Sequence, residues 1–518
     1  MPAHLKDAQH RHTPLQLNRF VFISSAVSIV VFALLTIIFP AEIGFFLDWS
    51  QDLIARTLSW YYMLLVVVCM GVVLWLCFSR YGHIKLGQEG EKPEFSYTAW
   101  VTMLFSAGIG IAVVYFGAYE PLDHFFNPPA GAGGTAQAAQ QAMVITFLHW
   151  GLHGWALYAL GATVLAYYAY VENRPLALRT ALYPIFGEKL TNGLLGDMVD
   201  GFGILATVTA MVTNLGIGSM LVYAGLVHFL GLPDSFIISI ALIIVMMGGA
   251  TIVAIMGIEK GIALLSKFNI LLLCLLLAFV FFAGPTFDIL DGIVQNTGDY
   301  LSSFAKMSFN LYIFEGDKAV KWRGLWTVFY WAWWIAWVPF VSMFIARISK
   351  GRTIRELVSG VLLIPLGFTL LWLAVFGNTA LHMALAGEAQ ELVAAVTAEI
   401  PEADMMIYYF LQHLPWSQIT VYLAIVISFL LFLTPVDSGS LMISNLALRT
   451  DDPDVESPMW LRIFWCVVTT AVTIGLFSSE GFNFMDIQKA VVLCGLPFSL
   501  VIVVYIISLI KTLRQRSD

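Results

Sequence analysis

The sequence predicts an all-α polytopic membrane protein with about twelve transmembrane helices. Three observations carry that prediction. Of 518 residues, 59% are hydrophobic and 12% charged, about half the charged share of a soluble domain, and mean hydropathy is +0.83. Apolar runs of spanning length lie at 19–40, 59–79, 97–119, 142–171, 199–229, 235–256, 262–284, 323–347, 355–377, 417–446, 459–478 and 488–511. With both termini placed in the cytoplasm, every Lys and Arg except Arg56, Lys306, Lys318, Lys321, Arg323 and Lys489 falls in an inner segment, as the positive-inside rule requires. The segments 120–141 and 379–416, both predicted outside, hold no Lys or Arg. The net charge of −8 says less than this placement.

Residues 1–18 form a polar cytoplasmic tail, without the apolar core and small-residue cleavage site of a signal peptide. The first run is therefore a retained span. Residues 19–96 hold two plain spans and a connector of mixed charge. Five cysteines, Cys69, Cys77, Cys274, Cys466 and Cys494, all sit in apolar runs without metal spacing, and read as small core hydrophobes.

The third run carries FSAGIGI at 105–111. Its glycines allow close helix packing or an unwound segment facing a substrate or ion. Gly108 and Gly110 lie too close together to make one packing stripe, which favours unwinding. Glu120-Pro121 is expected to end this helix near the outer surface, before the glycine-rich turn FNPPAGAGG.

The fourth run reads HWGLHGWALY over 149–158. Trp150, Trp155 and Tyr158 form an aromatic cluster, with Gly151 and Gly154 thinning the wall between them. His149 and His153 have metal-ligand spacing, but no acid or third ligand accompanies them along the chain. They read as hydrogen-bonded helix histidines. In the fifth run, Thr207, Thr209, Thr213 and Asn214 either bond within their helix or line an ion path. Residues 285–322 form an exterior amphipathic segment.

The eighth run centres on WTVFYWAWWIAWVPF, with five Trp between 326 and 337. Core packing explains one buried Trp. Five in the middle of a span point to an aromatic box, whose ring faces attract a cation that has no N–H to donate. The basic cluster Arg347, Lys350, Arg352 and Arg355 follows. The segment 379–416 reads as an acidic exterior loop. The tenth run contains Pro435, which breaks helical hydrogen bonds, and Asp437, an intramembrane carboxylate. The last two runs are plain, and 512–518 is a short cytoplasmic tail.

The blocks FSAGIGI, HWGLHGWALY, GIEKGIALLS, WAWWIAWVPFVSMFIARISKGRTIRE and VDSGSL together resemble the betaine/choline/carnitine transporter family, over about residues 20–511. KPEFS, ALYPIFG, LWLAVFGN and GLPFS are similar to segments of its proteobacterial choline carriers. The resemblance implies a LeuT-like fold with two inverted five-helix repeats, 97–284 and 323–511. It implies a homotrimer in the bacterial inner membrane, in contact with lipid. It also implies a small-molecule quaternary ammonium cargo, choline first and glycine betaine second. The box would be Trp150, Trp155, Tyr158 and Trp334, with Trp333 and Trp337 along the path and Gly108, Gly110 and Ala112 at the unwound segment.

The chain departs from the family's coupling patterns. The sodium-site positions correspond to Ser106, Ile109, Thr207, Met211, Thr434 and Pro435, and two hydroxyls of the sodium-coupled betaine carriers are replaced by Met211 and Pro435. Asn269 stands where a sodium-independent carnitine exchanger has arginine, and Ala112 where proton-coupled choline carriers have aspartate. The implied metal set is therefore degenerate. The expected function is choline uptake driven by membrane potential without sodium; the alternative is a sodium- or proton-coupled choline/betaine symporter. The short tail predicts no osmotic activation. No cofactor and no nucleic-acid partner are expected. A membrane enzyme needs a nucleophile–base pair or a third metal ligand near His149 and His153, and the sequence offers neither. A continuous channel conflicts with a closed aromatic box.

Overall fold

The structure is a computed structural model that describes residues 16–88, 90–108, 110–256, 263–449, 457–478 and 484–516. Each predicted apolar run is helical. In chain order the helices are α1 (Arg19–Ile38), α2 (Pro40–Thr57), α3 (Ser59–Phe78), α4 (Tyr97–Gly108), α5 (Ala112–Phe126), α6 (Ala136–Trp150), α7 (Leu152–Ala166), α8 (Tyr183–Thr191), α9 (Leu194–Leu230) and α10 (Phe236–Met256). They continue with α11 (Ala263–Ala283), α12 (Thr286–Ser308), α13 (Gly316–Arg323), α14 (Phe329–Ile348), α15 (Ile354–Ala386), α16 (Gln390–Thr397), α17 (Met406–Gln412), α18 (Ser417–Leu446), α19 (Met459–Ser478) and α20 (Phe484–Gln515). Among the described residues, 8 helices are individually long and apolar enough to cross a membrane, or 9 counting the pair α11–α12, which bends by 111°. Several ends are set by local chemistry. Thr135 caps α6, and Thr353 with Glu356 forms a capping box at α15, each meeting amides that the helix cannot satisfy.

Burial sorts the helices by role. In α14 every residue except Trp337 and Arg347 is buried. A helix apolar on all sides belongs in the interior, and α14 packs along α7, α9 and α20. By contrast α1 and α10 are mostly exposed, presenting Ile23, Val27, Leu34, Ile237, Ile244 and Ile252 outward. A buried ionic knot joins distant parts of the chain. Arg179 bonds Asp197 at 2.9 Å and Asp200 at 2.6 Å, while Asn18 and Arg449 also reach Asp197. There the two-residue strand Gln16–Leu17 pairs antiparallel with Leu448–Arg449.

Two predicted spans are broken. The third run divides into α4 and α5, with Gly110 outside both helices; Ile109 lies outside the described residues. The fourth divides at Gly151, whose backbone is extended (φ −88, ψ −152). A Cβ at Gly151 would lie 2.2 Å from Phe147 O and 2.5 Å from Tyr300 Oη, so only glycine permits this turn against its neighbours.

The structure corrects four expectations. Glu120-Pro121 does not end its helix: α5 runs through Pro121 to Phe126, and Glu120 is fully buried. Proline removes one backbone hydrogen bond, and packing of α5 against α6 and α15 holds the helix across that gap. The segment 379–416 is not a loop, because α15 continues to Ala386 and α16 and α17 follow. Residues 40–57, between predicted spans, form α2 packed on α20. Cys274 is exposed rather than in the core. In 285–322 the amphipathic segment is helical, as α12 and α13. Residues 1–15 and the GIEKGI turn lie outside the described residues.

Candidate substrate site

A small cavity of about 60 Å³ lies where both broken helices meet the interior helix α14. Gly110 and Ala112 border it from the first break, Trp150 and Tyr158 from either side of the second. Helix α14 contributes Trp333, Trp334, Trp337, Phe340 and Val341; α9 contributes Asn214, and α18 contributes Pro435. None of these lining residues carries a formal charge.

The geometry follows from helix periodicity. Trp333, Trp334 and Trp337 occupy adjacent positions on one side of α14. Trp334 is the hinge of the cluster. Its ring centroid lies 4.9 Å from Tyr158, 5.4 Å from Trp155 and 6.5 Å from Trp150, at interplanar angles of 53°, 65° and 76°. Trp150 meets Trp333 at 6.2 Å and 82°. Steeply inclined rings present several faces to one volume, the arrangement that a cation without N–H groups requires. Trp155 stands behind this wall, 1% exposed, and supports Trp334 rather than lining the cavity. The other aromatics of the 326–337 stretch turn away: Trp331 donates to Met63 Sδ at 3.0 Å, and Trp326 packs 4.5 Å from His124.

The indole N–H groups of two walls are engaged. Trp334 Nε1 donates to His149 O at 3.0 Å, and Trp150 Nε1 to Glu120 Oε2 at 2.8 Å. Glu120 is the centre of a fully buried polar cluster that sequence reasoning missed. Its Oε2 also accepts from Tyr330, and its Oε1 bonds His149 Nδ1 at 2.7 Å and His124 Nε2 at 3.3 Å. His149 Nε2 pairs with Thr327 Oγ1 at 3.0 Å. His149 is therefore accompanied by an acid and a second histidine after all. They arrive from α5, which the linear spacing of α6 and α7 does not reveal. His153 is elsewhere, bonded to Ser308 at 2.8 Å. Glu120, His124 and His149 form a group with metal-ligand atoms. In this arrangement four protein groups fill both carboxylate oxygens and both nitrogens of His149 are bonded, while His124 Nδ1 is buried without a hydrogen-bond partner.

The profile of the betaine/carnitine/choline transporters matches residues 20–518. This chain belongs to the BCCT, betaine/carnitine/choline family of transporters. It is 51% identical over 99% of its length to an osmo-independent choline transporter of Acinetobacter baylyi, covering 96% of that protein. It is 40% identical to a high-affinity choline transport protein of Escherichia coli K12, over 98% of this chain and 74% of that one. It is 39% identical to a glycine betaine transporter of A. baylyi, over 96% of this chain and 74% of that one. This BCCT chain is thus a transporter and not an enzyme. Its two broken helices suit the LeuT-fold polytopic plan of the family.

In this BCCT transporter Thr207, Met211 and Pro435, three of the positions offered for a sodium site, lie among the described side chains. Thr207 Oγ1 donates to Gly203 O at 2.8 Å, and Thr209 and Thr213 likewise bond carbonyls four residues back. Met211 is buried beside Gly439, and Pro435 lines the cavity. Asn269 bonds Leu430 O at 3.2 Å, away from the cavity lining. The side chains of Ser106, Thr434 and Asp437, and Gly108 beyond its place in α4, lie outside the described features, as does Ile109.

Proposed function

We propose that this BCCT chain takes up choline across the bacterial inner membrane, with glycine betaine as the secondary cargo, and that membrane potential drives uptake without sodium. The observation that carries the cargo reading is the cavity between Trp150, Tyr158, Trp333 and Trp334, whose described lining residues carry no formal charge. Ring faces attract a desolvated trimethylammonium with about 2 kcal/mol or more. The relatives named as choline transporters support the same choice. The Lys and Arg distribution supports both termini in the cytoplasm. Assembly as a lipid-embedded homotrimer is the quaternary reading, tested by native mass spectrometry from detergent.

The coupling reading rests on Met211 and Pro435, which offer no side-chain oxygen, and on Ala112, which offers no carboxylate. Choline needs no co-ion, because moving one charge is worth about 2.3 kcal/mol per 100 mV. That corresponds to roughly 40-fold accumulation. Betaine, a zwitterion, would only equilibrate. The second reading is proton-coupled symport, favoured by the Glu120–His124–His149 cluster directly behind Trp150. The test is choline uptake into liposomes under an inside-negative potassium–valinomycin potential, in sodium-free buffer at equal pH. Accumulation is expected. Its absence, with recovery under an inward proton or sodium gradient, refutes uniport.

A further inference from the structure

We infer that Asn214 recognises the hydroxyl end of choline; this rests on the cargo reading above. Asn214 lies on α9, is 3% exposed, and borders the same cavity as the aromatic wall. Its Nδ2 is buried with no hydrogen-bond partner. A buried amide donor left unmet is costly and is normally satisfied, so the cavity's occupant is the natural partner. The position suits this. A Cβ built on Gly110 would lie 3.8 Å from Asn214 Oδ1 and 3.5 Å from Pro435 Cγ. The helix break therefore leaves open space beside the amide, where a side chain at 110 would intrude.

The neighbouring groups divide the labour. Trp150 and Trp334 have committed their N–H groups to Glu120 and His149 O and offer ring faces to the cation. Asn214 offers a neutral donor and acceptor from a different helix. Choline's hydroxyl both donates and accepts, so a side-chain amide matches it. A betaine carboxylate would enter a lining that holds no Lys, Arg or His among the described residues, losing hydration without a compensating charge. Discrimination against the zwitterion thus comes from the missing cation, and Asn214 serves the choline hydroxyl.

The experiment compares binding of choline, glycine betaine and tetramethylammonium to the purified full chain and to Asn214→Leu and Asn214→Ser. Tetramethylammonium carries the cation and no hydroxyl. Asn214→Leu should lose about tenfold in choline affinity, as one hydrogen bond of ordinary strength implies, and stay within about twofold for tetramethylammonium. Asn214→Ser, which keeps a donor, should recover part of the choline loss. Equal losses for both ligands, or none for choline, overturn the inference. If Asn214→Leu does not fold, Asn214→Ser must still weaken choline more than tetramethylammonium, or the inference falls. Failure of the parent to bind tetramethylammonium overturns the aromatic box itself and separates that failure from an error at Asn214.

Discussion

Gly154→Ala tests the aromatic wall with one methyl group. A Cβ at this position lies 2.2 Å from Trp334 Cε2, 2.4 Å from Cδ2 and 2.6 Å from Cζ2. Carbon atoms rest about 3.5–4.0 Å apart, so the indole must retreat by roughly 1.3 Å or more. It has little freedom to do so. Trp334 is fastened to His149 O at 3.0 Å and backed by Trp155 and Tyr158. Alanine is favoured over glycine in a helix by about 1 kcal/mol, which offsets part of an overpacking penalty of about 1–3 kcal/mol. The protein should therefore fold while its wall is displaced. Losing a desolvated ring–cation contact of about 2 kcal/mol predicts a roughly 30-fold weaker choline affinity, read by calorimetry or tryptophan fluorescence. The control is Gly154→Ala combined with Trp334→Ala. With the indole gone the methyl has room, so the double variant should bind no worse than Trp334→Ala alone. Gly154→Ala binding choline within about twofold of the parent would refute the placement of Trp334.

Three further outcomes are expected. Trp334→Ala should weaken choline binding by roughly 30-fold or more and Trp334→Phe should keep part of it, because phenyl retains a π face; parental binding by Trp334→Ala would remove the box. Glu120→Gln replaces two acceptor positions with N–H donors facing Trp150 and Tyr330 or the two histidines. Breaking such a buried network is worth about 3–5 kcal/mol, so the melting temperature and choline affinity should fall together; an unchanged melting curve contradicts the network. The expected lack of osmotic activation is checked by uptake at rising external sucrose; a several-fold rise in proteoliposomes would count against that expectation.

The helices are legible in the sequence because membrane spans need long apolar runs, and that signal is local. The aromatic clusters are legible for a related reason: Trp150, Trp155 and Tyr158 and the five Trp of 326–337 stand out by composition in the middle of spans, but that Trp333 lines the cavity and Trp155 does not emerges only from packing. The break at Gly110 is equally readable from paired glycines. What escapes is the pairing of elements far apart in sequence. Glu120 and His149 are 29 residues apart and on different helices, and nothing in either run announces the other. Pro121 also suggested a helix end, which placed Glu120 at the surface and hid a buried carboxylate. Asn214 was visible as a polar residue in an apolar run, but its empty donor and its position at the cavity emerge only from packing. Similarly, α2 carries enough polar residues to pass for a connector until α20 covers one face.

The chemistry of the wall explains why a quaternary ammonium, and not any cation, suits this cavity. A primary ammonium has three N–H groups that leave water with its hydrogen bonds unmet unless acceptors replace them. The nearest strong acceptor behind Trp150 is Glu120, and its oxygens are already held by His149, His124, Trp150 and Tyr330. The carboxylate thus bonds no ligand directly. It holds the N–H of Trp150 and the ring of His149, whose own backbone carbonyl accepts from Trp334 Nε1. A trimethylammonium surrenders no N–H bonds on entry and meets ring faces on several sides. The same bonds that stiffen the wall therefore keep the Glu120 carboxylate from a competing amine, and the ring faces favour the ion that needs no acceptor.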